Sequence, residues 1–77
     1  MPAKPKWAQI ADGIRAKVAS GELAPGDKLP STSELGREHA VSAIVVRQAI
    51  NTLKAERVVE GVPGVGVFVV DPNEAQG

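Results

Sequence analysis

Apolar residues at Trp7, Ile10, Ala11, Ile14 and Val18 recur at intervals of three and four, the spacing of a helix with one buried stripe. Gly21, just past Val18-Ala19-Ser20, suits the left-handed residue that closes such a helix. Glu22-Leu23-Ala24-Pro25-Gly26-Asp27 then reads as a turn, with Pro and Gly where tight turns want them. Lys28-Leu29-Pro30 is extended, because a residue before proline avoids the helical region, and Leu29 is its anchor in the core. Ser31-Thr32-Ser33-Glu34 fits a capping box, so a second, short helix runs from about Thr32 to His39 and buries Leu35. Ala40-Val41 makes a turn, and Ser42 caps a third helix. That helix buries Val46, Ala49, Ile50 and Leu53 and ends near Glu56. Beyond it the period changes: Val58–Val62 and Gly66–Val70 are β-branched runs around Pro63-Gly64-Val65, which is a hairpin.

Three helices followed by a β-hairpin, with a short turn between the second and third helices, make the winged helix-turn-helix plan. The fold class is therefore α+β and mainly α, with a short extended segment near Leu29 and a two-stranded wing. Residues 1–6, with two prolines and two lysines, read as a flexible basic arm; residues 7–70 form the domain. Residues 71–77 have linker composition and are expected to lead into a further, missing domain. Architecture alone does not fix function, because winged helices also serve as protein-interaction modules.

Composition narrows the classes. A chain of 77 residues buries only about 60% of its unfolded surface, which permits one small domain with 43% hydrophobic residues. The absence of cysteine excludes disulfides and thiolate metal sites. One histidine and no dense acidic cluster argue against a metal, and no nucleophile–base pair is present, so neither a catalytic residue nor a cofactor is expected. No apolar run approaches the roughly 18 residues of a membrane span, and no signal peptide opens the chain, so a cytoplasmic protein without a membrane partner is expected. Net charge is zero, but residues 1–59 carry all nine basic side chains against six acids, a net +3, and residues 60–77 carry −3. That split permits a polyanion partner without requiring one.

Three motifs sharpen the picture. Ser20-Gly21-Glu22-Leu23-Ala24-Pro25-Gly26-Asp27-Lys28-Leu29-Pro30-Ser31 is similar to the "SGxLxPGxxLPS" opening of the GntR family of bacterial transcription regulators. Val41-Ser42 with Val46-Arg47-Gln48-Ala49-Ile50 and Leu53 resembles that family's "VSRxTVRxAL..L" recognition helix. Pro63-Gly64-Val65-Gly66-Val67-Phe68-Val69 looks like its "xGxGTFV" wing. The resemblance covers about residues 7–70, in order and without gaps.

The candidate site can be read from the residues themselves. At about 100° per residue, placing Val46, Ile50 and Leu53 inward turns Ile44, Gln48, Asn51 and Ala55 outward, with Arg47 on the flank. Gln48 and Asn51 can pair bidentately with adenine, Arg47 can reach phosphate or guanine, and Ile44 can pack on a thymine methyl. An exposed isoleucine without function remains open for Ile44. Ser31 and Ser42 start helices, where free amides and hydroxyls can hold phosphate in addition to capping. Gly64-Val65-Gly66 can approach the minor groove closely, or simply turn the hairpin. Lys4 and Lys6 can sweep along phosphates, with a solvated tail as the alternative.

Departures from the family pattern carry their own implications. The family usually has arginine where Ser33 and Ala43 stand, and often arginine or lysine where Val65 stands. Each phosphate contact changes the salt slope by about 0.9, so DNA affinity should be weaker and less salt-sensitive than the family's, with a shift toward A·T reading. Ala40 and Arg57 replace glycines that the family favours at helix ends; at positive φ each costs on the order of 1 kcal/mol.

The resemblance implies sequence-specific double-stranded DNA binding by a bacterial regulator, a repressor, with the third helix in the major groove and the wing near the minor groove. It implies an inverted-repeat operator, a homodimer in the full-length protein and a small-molecule effector bound through the missing domain. The alternative from another class is a winged helix that binds a protein, supported by the zero net charge, by Ile44 and by the three absent arginines.

Overall fold

A computed structural model describes residues 4–71, so half of the expected arm (1–3) and nearly all of the expected linker (72–77) lie outside the described residues. The elements are α1 (Lys6–Ser20), α2 (Thr32–His39), α3 (Ala43–Ala55), β1 (Val59–Val62) and β2 (Gly66–Val69), the winged helix-turn-helix order expected from the sequence. The first helix starts one residue earlier than its apolar stripe indicated. The Pro5 carbonyl accepts hydrogen bonds from the amides of Ala8 and Gln9 at 3.0 and 3.1 Å, which draws Lys6 into the helix. Lys4, read above as part of a free arm, donates to the Asp12 carboxylate. Lys6 thus lies in the first turn of α1, and Lys4 pairs with a carboxylate two turns along it.

Each helix end follows from local chemistry. The Ser31 hydroxyl accepts from the Glu34 amide at 3.1 Å and the Glu34 carboxylate accepts from the Ser31 amide at 3.4 Å, completing the capping box. The Ser42 hydroxyl accepts from the Val45 amide at 3.4 Å and caps α3. All three helices end on a left-handed residue, Gly21 at φ 87°, Ala40 at 56° and Arg57 at 61°. At Arg57 the amide of Val58 donates to the Leu53 carbonyl and that of Arg57 to Lys54, the pair of bonds of a Schellman end.

α1 and α2 pack on α3, and α3 on β1. The buried core takes Ile10, Ala11 and Ile14 from α1, Leu35 from α2, and Val46, Ala49, Ile50 and Leu53 from α3. Leu29 joins it as expected. Trp7 and Val18 are half-buried at its edge instead of central. Val59 and Val69, paired across the antiparallel hairpin, are both buried, so the root of the wing belongs to the core while its tip projects. Fully burying side chains such as Val46 and Leu53 is worth about 1.5–3 kcal/mol each, and this holds α3 rigidly enough to present its other face.

The extended segment is paired as well as anchored. Leu29 donates its amide to Val67 at 2.8 Å, Val69 donates to Asp27 at 2.8 Å, and Gly26 donates to Val69 at 2.9 Å. A bridge between Lys28 and Phe68 places this segment along the free edge of β2. The wing is thereby tied to the loop that leads into α2.

Candidate nucleic-acid interface

The inward stripe of α3 fixes what its opposite face must be, because a helix period of about 3.6 leaves no choice once Val46, Ala49, Ile50 and Leu53 are buried. Ile44, Arg47, Gln48 and Asn51 are all exposed, and with Thr52 and Ala55 they line one shallow groove of about 530 Å³. Ile44, in the first turn, is 73% exposed. An isoleucine this open has an apolar end with no protein surface to cover it. Beside it lie the guanidinium of Arg47 and the two amides, which can donate and accept in one plane. The face thus combines two bidentate amide groups, one cation and one methyl-bearing wedge.

The remaining sequence candidates fall around this face. Ser33 and Ala43 are exposed in the first turns of α2 and α3 and line neither this groove nor the neighbouring cleft. Ser31 and Ser42 spend a lone pair each on capping, as above. Gly64 and Val65 sit at the exposed wing tip, with Val65 55% exposed. The structure brings Ser31, Val65 and Gly66 together in a second cleft that also includes Lys28 and Thr32.

Thr32, Thr52 and Lys28, all on these surfaces, were not foreseen as site residues. Thr52 sits four residues after Gln48, and its hydroxyl donates to the Gln48 carbonyl at 2.9 Å, so it shapes the groove more than it offers a donor. Lys28 reaches the wing only because its segment pairs with β2, although the alternation of an extended stretch already turns it opposite to Leu29.

Electrostatics elsewhere serves the scaffold. Arg15 of α1 donates from Nε and Nη2 to both oxygens of Glu56 at 2.7 Å, and from Nη1 to Asp12. The Arg15 hydrogen bonds and charge hold the Glu56 carboxyl below its ordinary range. Asp12 is lowered first by the hydrogen bond from Lys4, then by the charges of Lys4 and Arg15. The Arg15 guanidinium is raised in turn, chiefly by Glu56. Among the described residues no cluster of His, Cys, Asp and Glu could hold a metal, and no helix is long and apolar enough to cross a membrane.

Residues 6–69 match the bacterial regulatory proteins of the gntR family. The mannosyl-D-glycerate transport/metabolism system repressor MngR of Escherichia coli strain K12 is 47% identical over 66 residues, 86% of this chain and 28% of that protein. The repressor NagR of Bacillus subtilis strain 168 is 33% identical over 72 residues, 94% of this chain and 30% of that protein. The chain therefore spans less than a third of the length of either relative. Among solved structures, the AraR DNA-binding domain in complex with operator ORR3 superposes with a TM-score of 0.87 at 32% identity, covering 90% of this chain and 83% of that one. A transcriptional regulator from Oenococcus oeni superposes with a TM-score of 0.89 at 28% identity, covering 97% and 62%. With residues 6–69 matched and its helices and hairpin superposing on these structures, the chain belongs to the gntR family of bacterial regulatory proteins, as a winged helix-turn-helix domain.

Proposed function

We propose that this domain reads double-stranded DNA through α3 in the major groove, with the wing beside the minor groove, and that it serves a transcriptional repressor. The observation that carries this is the single outward face of α3, on which Ile44, Arg47, Gln48 and Asn51 stand exposed over one groove next to a projecting wing. Likeness to an operator-bound AraR domain and to the repressors MngR and NagR supports it. Gln48 and Asn51 read adenine, Arg47 contacts guanine or phosphate, and Ile44 packs on a thymine methyl. Ser31, Ser33, Ser42 and Ala43 lie where helix starts meet the backbone, and Gly64, Val65 and Gly66 lie where the wing does. The operator is an inverted repeat read by a homodimer of the whole protein, with a small-molecule effector bound outside this domain.

The test is an anisotropy titration with a random duplex pool at two salt concentrations, followed by selection and sequencing of the bound fraction. Salt-dependent binding that enriches A·T-containing half-sites is expected, and Arg47→Ala should weaken binding to the selected duplex by about 1–3 kcal/mol. A second reading, a module that binds protein, is favoured by the 73% exposure of Ile44. Absence of duplex binding even at low salt, for a fused dimer as well as the single chain, would favour it over the first.

A further inference from the structure

The wing is almost uncharged. Between residues 59 and 70 the only ionisable side chain is Glu60, and Val65 stands at the tip. A hairpin that lies along a polyanion with one acid and no base of its own is repelled, if anything. Yet the structure places a cation on it from outside. Lys28, on the segment bridged to Phe68, lays its stem across Gly66 of β2. A methyl group on Gly66 would lie 2.6 Å from Lys28 Cε and 3.6 Å from its Nζ, so the lysine occupies the space that any other residue at position 66 would fill. Gly66 also holds φ 149°, which L side chains rarely adopt. Among the described residues Lys28 forms no ion pair, and its side chain is exposed. The cleft it borders, about 240 Å³, opens between Ser31 and Thr32 on one side and Val65 and Gly66 on the other.

We propose that Lys28, held across Gly66, is the wing's DNA-backbone contact, a phosphate-binding cation supplied by the neighbouring segment in place of one on the wing itself. The glycine then has a role besides turning the hairpin: it lets the lysine stem cross the strand, so that the ammonium stands beside the tip. A lysine suits this task, since a phosphate oxygen needs a point charge on a stem that can lie along apolar surface. The inference rests on the DNA reading above and deepens it by naming the residue that engages the backbone at the wing.

Lys54 supplies the internal comparison. Its ammonium lies 3.0 Å from where a methyl on Gly61 would sit, on β1, but it belongs to the last turn of α3, where the helix dipole already accounts for a cation. The experiment measures the slope of log affinity against log salt for a labelled random-sequence duplex, with the chain carrying Lys28→Gln, Lys28→Arg or Lys54→Gln. Circular dichroism melts establish that each variant is folded. Lys28→Gln should reduce the magnitude of the slope by about 0.9, the value of one phosphate contact, while Lys28→Arg and Lys54→Gln keep the parental slope. A parental slope in Lys28→Gln, or an equal reduction in Lys54→Gln, overturns the assignment and leaves the DNA reading standing. A parent chain with no salt-dependent duplex binding overturns both.

Discussion

Ala40 and Arg57 show how one dihedral angle can carry a stability cost that no contact reveals. Both sit at positive φ, 56° and 61°, where α1 uses Gly21 for the same purpose. The left-handed region crowds Cβ against the carbonyl and costs a residue with a side chain roughly 1–2 kcal/mol. Replacement by glycine relieves that but enlarges the freedom of the unfolded chain, at a cost of about 0.4–1 kcal/mol. The remainder favours glycine, so Ala40→Gly and Arg57→Gly should each stabilise the domain by about 0.5–1 kcal/mol, or about 2–8 °C in Tm for a domain of this size. Calorimetric melts read this directly, and an unchanged or lower Tm would show that neither helix end is strained. These two residues could be named from the family resemblance, because they stand where that family favours glycine at helix ends. The resemblance could not supply their angles.

Among elements, the junction of α1 with the end of α3 is tied by Arg15, whose guanidinium holds Glu56 through two bonds and Asp12 through a third. Glu56 lies below its ordinary carboxyl range because Arg15 donates to it, and Asp12 because Lys4 and then Arg15 do. A carboxyl whose folded pKa is depressed adds stability above its unfolded pKa, and that stability disappears as pH falls through the folded value. Acidification from about pH 7 to about pH 3 should therefore lower the Tm of the parent more than that of Arg15→Met, which lacks the partner. Equal losses in the two proteins would show that the junction does not contribute, and added salt should narrow the difference because these groups are exposed. The bonds from Arg15 to Glu56 join residues 41 positions apart, and nothing in local spacing announces them. The same limit hid the pairing of Asp27–Leu29 with β2 and the seat of Lys28 on Gly66, since each depends on where the wing folds back. Helices, caps and the outward face of α3 were legible because their chemistry lies within about one or two turns of chain.

At the scale of the whole molecule, the described residues extend 39 × 31 × 21 Å. A single module of this kind covers only about 600–1,000 Å² on DNA, against a total accessible surface of 5189 Å². With net charge zero over the chain, long-range attraction adds little, and one copy should bind weakly. Joining two copies by a flexible linker long enough to span the half-sites makes the second encounter intramolecular. That should raise affinity for an inverted repeat by about a hundredfold or more over the single chain. The gain should depend on helical phase. Half-sites one turn apart, about 10–10.5 bp, present both copies to the same side of the duplex, whereas a spacer changed by half a turn rotates one of them away. Anisotropy titrations of the fused and single chains on the two spacings, at one salt concentration, separate the cases. A hundredfold gain confined to the in-phase repeat is the expected result; a gain that ignores phase would mean that the two copies bind independently through backbone charge, and no gain at all would remove the argument that this domain acts as half of a symmetric reader.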